Sequence, residues 1–66
     1  MEFSQQLKEL RTEEGLSQAK LASKLNVSKS SISFWENGQG EPTIYSIILI
    51  AQFFGVSIDY LLGLED

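Results

Sequence analysis

Between Lys29 and Asn37 the residues with usable side-chain chemistry recur at a helical spacing. At about 100° per residue, Lys29, Ser30, Ser33, Phe34 and Asn37 share one face, while Ser28, Ser31, Ile32 and Trp35 converge on the other with Glu36 at its edge. The first set offers one cation, hydroxyls, an amide and one aromatic ring. That is the chemistry of hydrogen-bonded recognition, and nothing in it makes or breaks a covalent bond.

Composition narrows the possibilities further. The 66 residues include no cysteine and no histidine, which removes disulfides, Cys/His metal sites and imidazole acid-base catalysis together. No glycine-rich phosphate loop follows a strand, so no cofactor is expected and an enzyme is not the reading. The N-terminal Met1-Glu2-Phe3-Ser4-Gln5-Gln6 does not resemble a signal peptide, and the longest apolar stretch, Ile44 to Phe54, is too short to span a bilayer. A soluble, cytoplasmic chain is expected, with no membrane partner and no small-molecule ligand. A chain this short holds one domain, residues 1–66, around a modest core.

The elements that must position the polar face are punctuated by their own stops and starts. Gly15, Asn26, Gly38, Gly55 and Gly63 each suit the left-handed conformation that ends a helix. Ser17, Ser28 and Ser57 sit where a side-chain oxygen accepts from the amides of a first turn, and Pro42-Thr43 opens the fourth segment. Five helices follow, over about 2–14, 17–25, 28–37, 43–54 and 57–62, with no strand signal. Phe3, Leu7 and Leu10 form the apolar stripe of the first, and Gln18, Leu21, Ala22 and Leu25 share a stripe on the second. Ile44, Ile47, Ile50, Ala51 and Phe54 form that of the fourth, with Tyr45, Leu49 and Phe53 lying off it.

The second and third helices are joined across Leu25-Asn26-Val27-Ser28, the spacing of a helix-turn-helix over about 17–37. Asn26 can take the left-handed position, Val27 can plug the angle between the helices, and Ser28 can cap the second of them.

The residues themselves resemble the phage lambda repressor and Cro family, also called the xenobiotic response element family. The resemblance runs from Leu7 to Leu62 and rests on Leu10-Arg11, Gly15-Leu16-Ser17-Gln18, Leu21-Ala22, Val27-Ser28, Ile32, Trp35-Glu36-Asn37-Gly38, Pro42, Ala51, Phe54-Gly55-Val56-Ser57 and Asp59-Tyr60-Leu61-Leu62. It implies an all-α, five-helix lambda-repressor-like domain that places its third helix in the major groove of double-stranded DNA. It implies a phosphate contact for Gln18 at a helix N-terminus, where an anion is already favoured. By the same resemblance Lys29, Ser30, Ser33 and Phe34 reach base edges and Asn37 meets a phosphate, with Ser28 at the head of the same helix among the DNA-binding residues. Arg11 and Glu36 match a structural salt bridge between the first and third helices. A transcriptional regulator, more specifically a repressor working as a homodimer on a palindromic operator, is the function this implies.

Several features depart from that pattern. The formal net charge is −4, which opposes binding to a polyanion. Glu2, Glu9, Glu13, Glu14, Asp59, Glu65 and Asp66 nevertheless lie away from the third helix, while Lys20 and Lys24 on the second can lean toward a DNA backbone. The loop Gln39-Gly40-Glu41 carries an acid where relatives are often basic. Phe34 stands at a usually polar position, where it can touch a thymine methyl or cover the flank of the second helix. Leu49 and Phe53, with Tyr60 and Leu64 beside them, suggest a dimer surface, unless the C-terminal turn folds back over them through Leu64 or Ile58. The competing function is a protein-binding adaptor or antirepressor that keeps the fold without DNA affinity.

Overall fold

The computed structural model describes residues 2–65, and five helices account for its regular structure: α1 (Glu2–Glu13), α2 (Gln18–Leu25), α3 (Lys29–Glu36), α4 (Ile44–Phe54) and α5 (Ile58–Leu61). Each expected helix is present, shorter by a residue or more because the capping residues stand outside the helices they close. Ser17, Ser28, Thr43 and Ser57 are extended N-caps whose side-chain oxygens accept from Lys20, Ser31, Ser46 and Tyr60 N–H respectively. Every residue named as a stop has a positive φ, including Asn26 at 63°. Four similar caps on four short helices matter, because isolated helices of this length are unstable in water and each cap contributes about 1 kcal/mol.

The core is a single cluster built around Phe3, Leu7, Leu21, Ile32, Ile50 and Leu61, all essentially inaccessible. Phe3 of α1 meets Trp35 of α3 edge to face, with centroids 6.4 Å apart. Val27 packs against the same cluster from the turn between α2 and α3, the role expected of it. α3 is held against both α2 and α1, and α5 against α1 and α4. The recognition-type face of α3 is therefore carried on a helix whose other side is fixed by two neighbours. None of the described helices is long and apolar enough to cross a membrane.

Two expectations for α4 are corrected. Ile44, assigned to the core stripe, is 66% exposed. The buried stripe centres on Ile47, Ile50 and Ala51, which puts Ile44 roughly 70° off its centre and at the first turn of the helix. Leu49, assigned to an exposed patch, is half-buried against the core.

Candidate nucleic-acid interface

The outward face of α3 forms one wall of an open groove of about 410 Å³ lined by Gln18, Lys29, Ser30, Ser33, Phe34 and Gln39. Five of these had been singled out from the sequence. They converge because α2 and α3 meet at a short turn: Asn26 in the left-handed conformation and the Ser28 cap redirect the chain so that the start of α2 stands beside the outer face of α3. Lys29 is the one cation among the lining residues. Lys20 and Lys24 are exposed on α2.

Ser28 and Asn37 do not line that groove. The Ser28 hydroxyl accepts the Ser31 N–H at 3.1 Å and lies 3.0 Å from the Ser31 hydroxyl, so capping occupies it. Asn37 closes α3 with its backbone N–H bonded to Ser33 O, and its side-chain amide lies 3.4 Å from the Ser33 hydroxyl. Both residues are exposed at opposite ends of the helix.

Gln18 has a second engagement. Its Nε2 donates to Glu36 Oε1 at 3.1 Å, and the same carboxylate receives Arg11 Nε at 2.6 Å and Arg11 Nη2 at 3.0 Å. Arg11 Nη1 donates in turn to Leu16 O at 2.8 Å. Arg11 and Glu36 thus join α1 to α3 as the salt bridge the resemblance implied. The hydrogen bonds it donates to Glu36 hold the Arg11 guanidinium above its ordinary pKa, against the opposing effect of burial, with the negative charge of Glu36 adding to the rise. With three of its five N–H donors committed to Glu36 and Leu16 and its side chain only 12% exposed, Arg11 offers little to a phosphate.

Phe34 is 45% exposed, and its ring rests on the loop that follows α3. A Cβ built on Gly40 would lie 2.2 Å from Phe34 Cε2 and 2.7 Å from Cζ. Gln39, which sequence reasoning treated only as part of a poorly charged loop, is brought into the groove by this loop; its own N–H donates to Phe34 O at 3.2 Å. The only advance signal for it was proximity to the end of α3.

Of the residues expected at a dimer surface, Leu64 is 69% exposed, Phe53 is partly exposed beside Phe54, and Tyr60 is half-buried with its carbonyl accepting from Gln6. Tyr45, 73% exposed, Ile44 and Ile48 extend the apolar surface along α4, a helix without a charged residue. That uncharged run was visible in the sequence, but the assignment of Ile44 to the core concealed it.

A family model described as helix-turn-helix matches residues 7–61. The chain is 47% identical over 66 residues to the HTH-type transcriptional activator BcrR of Enterococcus faecalis, covering all of this chain and 32% of that protein. It is 32% identical over 66 residues to the HTH-type transcriptional regulator ImmR of Bacillus subtilis, again over the whole chain and 52% of the relative. It is 40% identical over 60 residues to the regulator MJ0272 of Methanocaldococcus jannaschii, covering 91% of each. The chain thus spans about a third of BcrR and about half of ImmR. Together with the five-helix architecture and the geometry of α2 and α3, these matches show that the chain belongs to the lambda repressor/Cro-like helix-turn-helix family of DNA-binding transcriptional regulators.

Proposed function

We propose that this chain reads a specific double-stranded DNA sequence with the outer face of α3, as the DNA-binding unit of a cytoplasmic transcriptional repressor. The observation that carries the reading is the groove in which Gln18, Lys29, Ser30, Ser33 and Phe34 converge at the junction of α2 and α3. Lys29, Ser30 and Ser33 supply donors and acceptors suited to base edges, and the exposed ring edge of Phe34 suits a thymine methyl. Ser28, Gln18 and Asn37, at the ends of their helices, are suited to the flanking phosphates.

The active form is a homodimer on a palindromic operator, its half-sites about 34 Å apart. The second copy packs against the uncharged outer face of α4 with Phe53, Tyr60 and Leu64. Repression follows from occupancy alone, since a bound dimer excludes polymerase with no further contact. The similarity to BcrR, named as an activator, favours a second reading in which the α3 face reads DNA in the same way and the bound protein recruits polymerase rather than excluding it.

Selection of duplexes from a randomised pool by the wild-type chain, followed by titration of the enriched duplex, tests the proposal. A recurring palindrome, with Lys29→Ala and Ser33→Ala each weakening binding by about 1 to 3 kcal/mol, is the expected result. No enriched sequence even at low salt would overturn it, and would favour a protein-binding adaptor. Placing the enriched site upstream of, or across, a promoter then separates activation from repression.

A further inference from the structure

Gly40 is a glycine for reasons of space. Its φ lies outside the left-handed region, so its backbone suits any residue, yet an added methyl would fall 2.2 Å from a Phe34 ring carbon. Non-bonded carbons prefer about 3.5 to 4.0 Å, so ring and loop can remain where they are only if position 40 lacks a side chain. Phe34 belongs to α3 and Gly40 to the loop leading to α4, and the contact pins that loop to the recognition helix. Next to this contact stands Gln39, whose backbone N–H is tied to Phe34 O and which lines one groove with Gln18, Lys29, Ser30 and Ser33.

We infer that Phe34 is a positioning residue which, by seating its ring on Gly40, holds the α3–α4 loop so that Gln39 becomes a further DNA contact. The inference rests on the DNA-binding reading above. Gln39 is neutral and carries both donor and acceptor, so it adds a hydrogen bond to DNA without adding to the salt dependence. It lies beyond the C-terminal end of α3, on the side where the chain leaves the groove for α4, and its partner is accordingly a phosphate oxygen at the groove rim rather than a base edge. Phe34 contributes by keeping this amide in place, a role distinct from touching a base itself.

The probe is the duplex enriched from a randomised pool by the wild-type chain. Gln39→Ala is expected to weaken binding roughly tenfold, as for loss of one hydrogen bond from a neutral donor to an anionic oxygen, equally across sequence variants of the site and with no change in salt slope. Gly40→Ala, which drives the Phe34 ring and the loop apart, is expected to cause a similar loss. In a Phe34→Ala background both effects should vanish, since the ring no longer collides with a methyl at position 40 and no longer orders Gln39. Thermal unfolding of each variant confirms that it is folded at the assay temperature. Wild-type affinity for Gln39→Ala, or equal losses with and without Phe34, would overturn the inference while leaving DNA binding intact. Failure of the wild-type chain to enrich any duplex would instead overturn the DNA-binding reading, and this inference with it.

Discussion

Glu36 accepts two hydrogen bonds from Arg11, at 2.6 and 3.0 Å, and a third from Gln18 at 3.1 Å. The Glu36 side chain is 3% exposed and that of Arg11 12%, so the pair is shielded from solvent and its carboxylate is nearly saturated with donors. A single carboxylate near the end of α3 therefore fixes that helix against α1 and against the first residue of α2. Position and orientation of the proposed recognition face depend on it.

Removing one partner should be far worse than removing both. Glu36→Ala leaves the Arg11 guanidinium buried without its anion and is expected to cost about 3 to 5 kcal/mol. For a domain of this size that is most of the stability available. Arg11→Met combined with Glu36→Met replaces the pair with apolar volume and should recover much of the loss. Urea unfolding followed by circular dichroism reads both. A double variant less stable than Glu36→Ala would show that the pair itself contributes net stability.

The same pair makes a prediction about pH. The Arg11 pKa is raised in the folded state, so its contribution is fully present below the unfolded-state value and is lost only as pH climbs through the higher folded value. Both lie far on the alkaline side, and this arginine leaves stability flat from neutral pH to about 10. Arg11→Lys brings the cation into the ordinary lysine range, near 10.4, and forfeits the two-pronged geometry. The gap in melting temperature between wild type and Arg11→Lys should stay constant up to about pH 10 and widen above it, as the lysine begins to lose its proton while the arginine keeps its own; a gap that stays constant to about pH 11.5 would mean that geometry alone separates them.

Ser4 offers an opposite case. It is buried in α1, and its hydroxyl finds no hydrogen-bond partner among the described residues. Ser4→Ala removes an unsatisfied polar group and substitutes a better helix former. A gain of about 1 kcal/mol is expected, which for a domain this small raises the melting temperature by roughly 4 to 8 °C. A fall in melting temperature on calorimetry would count against the argument.

What the sequence disclosed, and what it withheld, follows the range of the interactions concerned. Caps and stops depend on three or four neighbouring residues, and Ser17, Ser28, Ser57 and Asn26 all behave as their types require. Helical periodicity likewise separated Lys29, Ser30 and Ser33 from Ile32 and Trp35, because one face of α3 had to be apolar. The Arg11 and Glu36 pairing came through family resemblance, since 25 residues separate the two in the chain. The seating of Phe34 on Gly40 had no such guide: it depends on where a loop passes and which way a ring turns. Ile44 was misplaced for a related reason, periodicity giving the direction of a side chain without saying how far along the helix the neighbouring elements extend.

The shortage of positive charge makes the last prediction quantitative. Each phosphate neutralised contributes about −0.9 to the slope of log affinity against log salt, and in the proposed complex the contributing cations among the described residues are Lys29 in the groove and the exposed Lys20 and Lys24 on α2. The expected slope is therefore shallow, roughly −3 per chain. Lys29→Ala should reduce it by about one, whereas Ser33→Ala should weaken binding and leave it unchanged. Glu41 is exposed in the loop anchored by the Phe34 and Gly40 contact, close to where the DNA backbone leaves the groove in the proposed complex. Glu41→Lys exchanges a repulsion for an attraction there, and should tighten binding most at low salt while steepening the slope by about one. If Glu41→Lys changes neither affinity nor slope, the loop stands farther from the phosphates than the groove implies, and the acidic balance of this chain has little bearing on how it holds DNA.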